Sequence, residues 1–235
     1  MIIVPMLGNS SRFKKEGILI PKFMLKIKNF TIFNLSVSTF YKYFDKEKFI
    51  FVINDSYEIE DFVMSQILKL EIKNYKIIKL KNKTRGQAET VYIALSHLVN
   101  PEDIYIFNID TIIKKFQLPK LDDDTSGFLD VFIANGDNWS FIKPFNSFLV
   151  AETAEKNRIS NLCSNGLYYF KNNKVFNDSF NKLEKDFSSE LYVAPMFNYL
   201  IKDNLKVTYR ITDSKNIEHA GIPKDYNALK YKYEN

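Results

Sequence analysis

A short polar loop near the N-terminus combines the residue types that bind phosphate. The apolar segment 2–6 leads into this loop, and Arg12 and Lys22 follow it closely. Small residues let backbone N–H groups approach phosphate oxygens, while guanidinium and ammonium groups supply positive charge. We therefore expect a nucleotide site at which Arg12 and Lys22 act on phosphates. The loop residues expected to contact the nucleotide are Leu7, Gly8, Asn9, Ser10 and Ser11.

One carboxylate at the end of an apolar segment is a candidate metal ligand. Asp110 follows residues 104–107, which read Ile-Tyr-Ile-Phe. A carboxylate at the tip of a buried strand is expected to face the ligand edge, because burying it unpaired would be costly. Mg²⁺ takes one or two carboxylates and completes its shell with water and substrate phosphates. We expect Asp110 to hold Mg²⁺, with an ordinary turn aspartate as the alternative.

The first half of the chain alternates strand-like and helix-like segments. Apolar periodicity predicts strands at 2–6, 49–53, 75–80 and 104–107, and helices at 31–43, 59–70 and 87–98. Such alternation is typical of βαβ units in a mostly parallel sheet. Ligands bind beyond the carboxyl ends of these strands. The polar loop, the loop 84–89 and the turn 108–111 should therefore lie along one edge.

The second half predicts a more antiparallel region. Short strands are predicted at 129–134, 140–143, 148–153, 167–170 and 206–211, with helices at 175–185, 191–202 and after Pro223. We expect one domain over residues 1–235, with a nucleotide-binding half at 1–115 and an acceptor-binding half at 116–235.

Composition narrows the functional classes. The 235 residues are 46% hydrophobic, enough for a sizeable core, and carry a net charge of +5. Lysines are interleaved with acidic residues rather than gathered in one block, so we expect anionic small substrates and no nucleic acid. No apolar run reaches membrane-spanning length and no leader is evident, so we expect a cytoplasmic protein without a membrane partner. The single cysteine, Cys163, excludes an internal disulfide. A homo-oligomer stays open.

The N-terminal residues resemble the signature of the nucleotidyltransferase family, which makes NDP-sugars and related CDP-linked compounds. That signature is an apolar strand, A-G-x-G-[ST]-R-F/L and then P-K-P-L. Leu7 replaces a small residue and Ser10 replaces the second glycine, which removes some backbone freedom from the loop. The matching positions are Gly8, Ser11, Arg12, Phe13, Pro21, Lys22 and Leu25.

Three further segments resemble this family and imply further site residues. Residues 220–226 resemble a late G-T-P-x-D-L element, which implies that Asp225 joins Asp110 on Mg²⁺; a first-turn helix aspartate is the alternative. Residues 149–170 and 189–201 resemble the acceptor segments, with Lys156 on the acceptor phosphate. Residues 84–90 resemble the base-reading loop. The implied acceptor-binding residues are Glu155, Lys156, Glu190 and Tyr192, and the implied base-side residues are Gly86, Gln87 and Thr90.

The resemblance spans nearly the whole chain and implies a fold and an activity. The implied fold is α/β, a Rossmann-like (GT-A-like) three-layer sandwich with a mixed, mostly parallel central sheet and a small acceptor-binding lobe. The implied reaction is Mg²⁺-dependent transfer of a nucleoside monophosphate from a nucleoside triphosphate to a phosphorylated small-molecule acceptor, with release of pyrophosphate. The residues of these motifs are most similar to those of cytidylyltransferases from surface-polysaccharide and capsule pathways. This similarity favours CTP as the donor and an acceptor such as phosphoglutamine.

Three alternatives stay open at this point. Another triphosphate with a sugar 1-phosphate acceptor belongs to the same class. A GT-A glycosyltransferase would share the strand-end carboxylate but uses an Asp-x-Asp pair, whereas the chain has Asn108-Ile109-Asp110. A nucleotide-binding regulator would keep the loop and release no pyrophosphate.

Overall fold

The computed structural model describes residues 1–100, 102–187 and 189–235. The strands are β1 (Ile2–Pro5), β2 (Lys26–Ile27), β3 (Phe30–Thr31), β4 (Phe49–Asn54), β5 (Tyr75–Leu80), β6 (Glu102–Phe107), β7 (Thr111–Ile113), β8 (Thr125–Ile133), β9 (Ser140–Pro144), β10 (Val150–Glu155), β11 (Leu162–Asn172), β12 (Lys206–Ile211) and β13 (Ile217–His219). The α-helices are α1 (Ser11–Lys15), α2 (Ile32–Val37), α3 (Tyr57–Lys69), α4 (Gln87–Ser96), α5 (Asn173–Asp186), α6 (Phe197–Lys202) and α7 (Pro223–Glu234). Short 3₁₀ helices cover Lys22–Met24, Ser38–Tyr43, Ala194–Met196 and Ser214–Asn216.

Nine of the strands within the described residues form one central sheet. Its main path runs β10-β9-β11-β6-β1-β4-β5, and β8 joins β11 to β12. Strands β6, β1, β4 and β5 are parallel neighbours, whereas β11 pairs antiparallel with β6, β8 and β9. The sheet is therefore parallel where the sequence alternates strands with helices and largely antiparallel where it does not.

Alternating side chains of the strands build two apolar layers. Ile3 of β1 lies with Ile50 of β4 in the layer that contains α4, α5 and α6. Ile2 of β1 lies with Phe49 of β4 in the layer that contains α2 and α3. Because both faces of the sheet are covered, the central strands are apolar throughout rather than alternating with polar residues. The predicted three-layer α/β fold is confirmed.

Two predicted helices differ in the structure. The segment predicted at 31–43 is α-helical only to Val37, and the backbone of Phe40 departs from helical geometry (φ −100°, ψ 20°). The helix predicted at 191–202 begins at Phe197, after a 3₁₀ turn that contains Pro195. Leu191 instead lies outside any helix or strand, and its backbone hydrogen-bonds to Arg85 and Ala88. Among the described residues, no helix has the length and apolarity needed to cross a bilayer.

We expect Gly127→Ala to destabilise the fold. A Cβ at this β8 position would lie 2.9 Å from the side chains of Phe197 and Leu200, which pack α6 against the sheet. Overpacking of this kind costs about 1–3 kcal/mol. Urea unfolding measures the loss. Gly8→Ala is the matched control, since a Cβ at Gly8 has no atom within 4 Å; equal losses in the two variants would contradict the packing explanation.

Candidate active site

One cavity of about 1010 Å³ opens beyond the carboxyl ends of the parallel strands. It is bordered by the segments that follow β1 and β6, by the start of α4 and by the start of α7. The sequence-predicted site residues that line it are Leu7, Gly8, Asn9, Ser10, Ser11, Arg12, Lys22, Gly86, Gln87, Thr90, Asp110, Glu155, Lys156, Glu190, Tyr192 and Asp225. The structure therefore brings every candidate to one place, while their individual roles stay predictions.

Ser10 shows how the N-terminal loop forms without its second glycine. Ser10 adopts the left-handed conformation itself (φ 49°, ψ 35°), immediately before α1. This conformation costs a non-glycine residue free energy, and the Ser10 hydroxyl offers a compensating contact. It accepts a hydrogen bond from the Lys22 backbone N–H at 3.0 Å. The hydroxyl thus ties the loop to the segment that carries the Lys22 side chain.

Asp110 is more enclosed than a strand-end carboxylate was expected to be. It follows β6, its side chain is 19% exposed, and its carboxylate forms an ion pair with the Lys22 ammonium. Burial raises the pKa of Asp110, but the Lys22 charge and hydrogen bond outweigh it, so the pKa lies below its ordinary value. Asp110 is therefore held ionised beside the phosphate loop.

A short two-stranded ladder brings Asp225 near Asp110. Strands β7 and β13 pair antiparallel, with His219 opposite Thr111. The Ala220 N–H donates to the Asp110 carbonyl oxygen at 2.8 Å, and a Cβ at Gly221 would lie 2.7 Å from Asp110 Oδ2. A side chain at position 221 would require this carboxylate to move. Because α7 starts two residues later, Asp225 enters the same cavity in the first turn of that helix.

Asp110 and Asp225 are the side chains that would hold a divalent cation. Burial raises the pKa of Asp225 above its ordinary value, and the nearby Asp110 carboxylate acts in the same direction. A cation bound by both groups would relieve this repulsion. Among the described residues there is no cluster of three or more His, Cys, Asp or Glu side chains suited to a metal. Two carboxylates, with water and phosphate oxygens completing the shell, suit Mg²⁺.

His219 lies beside this pair and carries no prediction from the sequence. Its ring is tilted by 50° to the Trp139 ring, with the two centroids 4.9 Å apart, and both residues line the cavity. Burial lowers the pKa of His219, although the charges of Asp110 and Asp225 oppose the shift. His219 is therefore uncharged at neutral pH, and its ring forms part of the cavity wall next to the two carboxylates.

The base-side candidates are held by contacts within the protein. A Cβ at Gly86 would lie 2.4 Å from the Leu191 carbonyl oxygen, so the close approach that requires this glycine is to protein backbone. The Thr90 hydroxyl donates to the Gly86 carbonyl oxygen at 3.0 Å and supports the same loop. The Gln87 amide donates to the Asn108 side chain at 2.6 Å. Gln87 thus faces the cavity with one N–H already engaged.

The acceptor candidates form a linked group. The Lys156 ammonium lies 4.4 Å from the Tyr192 ring centroid, hydrogen-bonds the Tyr192 hydroxyl and lies 3.9 Å from the Glu190 carboxylate. The Tyr192 hydroxyl donates to Glu190. Glu155 accepts a hydrogen bond from the Ser140 hydroxyl, and burial raises its pKa. The side chains of Lys156, Tyr192 and Glu190 therefore form one hydrogen-bonded group, and Glu155 lies beside it.

Sequence reasoning missed several residues that line the cavity: Asn108, Asn135, Asn138, Trp139, Ser140, Ser164, Asn165, Tyr168, His219, Gly221 and Lys224. Most of them follow or belong to β8, β9 and β11, whose predicted bounds were too short. The Asn135-Gly136 and Asn138-Trp139 pairs indicate a turn between β8 and β9, but nothing in the sequence shows that this turn lines the cavity.

Comparison with known proteins finds matches among solved structures. No protein-family model matches the chain, and no curated protein sequence matches it. The nucleoside-diphosphate-sugar pyrophosphorylase from Vibrio cholerae RC9 is 37% identical over 98% of this chain and 100% of its own, with a TM-score of 0.92. The inositol-1-phosphate CTP transferase from T. maritima shares the fold at 15% identity and a TM-score of 0.77, covering 100% of this chain and 96% of its own.

A putative glucose-1-phosphate thymidylyltransferase from Bacillus anthracis shares the fold as well, at 14% identity and a TM-score of 0.78 over 100% of this chain and 95% of its own. The Vibrio relative matches at a much higher identity and along the full length of both chains. The chain therefore belongs to the nucleoside-diphosphate-sugar pyrophosphorylase family of nucleotidyltransferases.

Proposed function

We propose that the protein is a Mg²⁺-dependent nucleotidyltransferase that transfers a nucleoside monophosphate to a phosphorylated small acceptor and releases pyrophosphate. CTP is the preferred donor, phosphoglutamine or a similar compound is the acceptor, and surface-polysaccharide or capsule synthesis is the setting. One observation carries the proposal: a single cavity is lined by the phosphate-loop cations Arg12 and Lys22, the carboxylates Asp110 and Asp225, and the separate cation Lys156.

The residues in the cavity suit an in-line attack that needs no protein base. A phosphate oxygen of the acceptor forms a bond to the α-phosphorus of the triphosphate, and the bond to the pyrophosphate oxygen breaks. The attacking oxygen is already ionised at pH 7, so positioning and charge neutralisation remain to be supplied. Arg12 and Lys22 hold the triphosphate, and Lys156 orients the acceptor. Mg²⁺ held by Asp110 and Asp225 would add neutralising charge at the phosphates.

The Lys22–Asp110 ion pair is consistent with the roles proposed for Lys22 on the triphosphate and Asp110 on Mg²⁺. Without a nucleotide each side chain neutralises the other. When a triphosphate occupies the loop, the Lys22 ammonium gains phosphate oxygens as partners and the Asp110 carboxylate becomes free to bind a cation. The pair therefore keeps both groups charged and in place between turnovers.

One alternative is favoured by a specific finding. The 37% identical Vibrio relative bears the name of a nucleoside-diphosphate-sugar pyrophosphorylase, which favours a sugar 1-phosphate acceptor. The neighbour from T. maritima bears the name of a CTP transferase. That name agrees with CTP as the donor, but at 15% sequence identity the likeness shows the fold alone. A glycosyltransferase is disfavoured because Asn108 stands where the first carboxylate of an Asp-x-Asp pair would be.

Pyrophosphate release tests the activity directly. Among the four ribonucleoside triphosphates and dTTP, we expect release from CTP, in the presence of Mg²⁺ and a phosphorylated acceptor. The panel of acceptors should include phosphoglutamine, phosphoethanolamine and glucose 1-phosphate. Release that is strongest with UTP or dTTP and glucose 1-phosphate would replace the cytidylyltransferase proposal by the sugar-nucleotide one. No release from any pair, with nucleotide still bound, would indicate a regulator.

Asp225→Asn and Asp110→Asn should each reduce kcat/KM by about 10² or more, because each removes a charge that stabilises the transition state. The affinity for the metal should fall as well, so the Mg²⁺ concentration that gives half of the maximal rate should rise in both variants. Asp178→Asn on α5 is the control, since Asp178 is exposed and pairs only with Lys174 among the described residues. Near-normal turnover of Asp225→Asn would remove Asp225 from the metal site.

Lys156→Ala should separate the two substrates. We expect kcat/KM for the acceptor to fall about tenfold to a hundredfold, as for loss of a charge-assisted contact to phosphate. Affinity for the triphosphate, measured by calorimetry without acceptor, should stay nearly constant. Lys174→Ala is the control for a general loss of positive charge. An equal fall in triphosphate affinity would mean that Lys156 contributes only to the overall electrostatic field.

A further inference from the structure

The first turn of α7 carries Asp225 but lacks the local support of an ordinary helix start. Ile222 is the N-cap residue, and its hydrocarbon side chain has no oxygen that could accept from the backbone N–H groups of this turn. The Asp110 carboxylate also repels Asp225, since both groups lie in the same cavity. Contacts with other segments must therefore hold the start of α7 in place.

Tyr226, the residue after Asp225, makes two such contacts. Its side chain is buried, and its ring meets the Phe13 ring edge to face, with centroids 6.0 Å apart and an interplanar angle of 70°. Its hydroxyl donates to the Lys26 carbonyl oxygen at 2.8 Å. An aromatic contact of this geometry and a hydrogen bond from a buried hydroxyl each stabilise one position of the ring. Tyr226 therefore fixes the first turn of α7 against two other segments.

The two segments that Tyr226 contacts carry the phosphate-loop cations. Phe13 follows Arg12 in α1, and Lys26 begins β2, shortly after Lys22. One side chain thus contacts the chain after the first cation through its ring and after the second cation through its hydroxyl. The start of α7 is therefore held at a fixed position relative to both cations.

The apolar cluster around Tyr226 also reaches the segment that carries Asp110. Its buried members include Phe13, Ile112 and Ala220. Ile112 lies in β7, shortly after Asp110, and Ala220 donates its backbone N–H to the Asp110 carbonyl oxygen at 2.8 Å. Close-packed clusters transmit small displacements from one member to the next. The packing of Tyr226 therefore fixes α7 relative to Asp110 as well.

We propose that Tyr226 is a positioning residue: it holds Asp225 at the separation from Arg12 and Lys22 at which one divalent cation binds the carboxylate and a triphosphate together. The inference rests on the proposed function and adds a determinant of metal affinity that lies behind the cavity wall rather than in it. A loosened α7 would leave the triphosphate bound by the two cations and weaken only the contribution of the metal.

Inorganic triphosphate, with Mn²⁺ or with a chelator, is the probe, because it needs neither a base nor an acceptor. Mn²⁺ takes carboxylate and water ligands as Mg²⁺ does. We expect Mn²⁺ to tighten the binding of triphosphate to the wild-type protein in calorimetry. In Tyr226→Phe this gain should shrink about threefold to tenfold, as for the loss of one hydrogen bond, while the affinity for triphosphate without metal stays nearly unchanged. Tyr226→Leu, which removes the ring contact as well, should lose more of the gain.

Tyr233→Phe is the matched control on the same helix. The Tyr233 hydroxyl donates to the Glu218 carboxylate, also at 2.8 Å, at the other end of α7. Both variants should lose similar stability in urea unfolding, but only Tyr226→Phe should lose metal-dependent affinity. Equal losses of this affinity in the two variants would overturn the positioning role, because they would report a general weakening of α7. An unchanged gain in Tyr226→Phe would overturn it as well.

Binding and turnover separate the two proposals. A reduced gain in Tyr226→Phe alone, without pyrophosphate release from any pair of triphosphate and acceptor, would support the positioning role and overturn the transferase. Pyrophosphate release by Tyr226→Phe at the wild-type rate and with the wild-type Mg²⁺ requirement would overturn the positioning role and leave the transferase standing. No gain from Mn²⁺ in the wild-type protein would overturn the positioning role and the metal site together.

Discussion

The arrangement of the cavity depends on how tightly the chain closes around Asp110. Its carboxylate is bound by the Lys22 ammonium, its carbonyl oxygen accepts from the Ala220 N–H, and its side chain packs against the α-carbon of Gly221. These partners lie far from Asp110 in the sequence. Because the contacts converge on one residue, the phosphate loop, the end of β6 and the start of α7 cannot move independently. The candidate metal position follows from this closure.

Two lysines of the cavity are paired with carboxylates. Lys22 is neutralised by Asp110 on the triphosphate side, and Lys156 is neutralised by Glu190 on the acceptor side. Arg12 is exposed at the rim. The Lys22–Asp110 pair avoids the cost of holding an isolated ion in a partly buried site, since these two side chains are only 21% and 19% exposed.

The parts of the site that follow strands were predictable from the sequence. Buried strands give continuous apolar runs, and parallel strands place their carboxyl ends at one edge, so the loop after β1 and the position of Asp110 followed from local pattern. Asp225 was identified as a site residue only by its resemblance to a family motif, because the β7–β13 ladder that brings it near Asp110 is three residues long on each side. Such short strands leave no periodic signal. The boundary of α6 was wrong because an apolar segment with Pro195 was taken as helix, whereas its first residues pair with the loop at Arg85.

That pairing joins the two substrate sites through the backbone. Leu191 donates its N–H to the Arg85 carbonyl oxygen and accepts from the Ala88 N–H, and Gly86 is pressed against the same residue. The segment at 85–88 is the candidate base-reading loop, while Glu190 and Tyr192 flank Leu191 on the acceptor side. Whatever orders one of these segments reduces the freedom of the other. If the two segments bind the nucleotide and the acceptor as proposed, nucleotide bound first would lower the entropy lost when the acceptor follows.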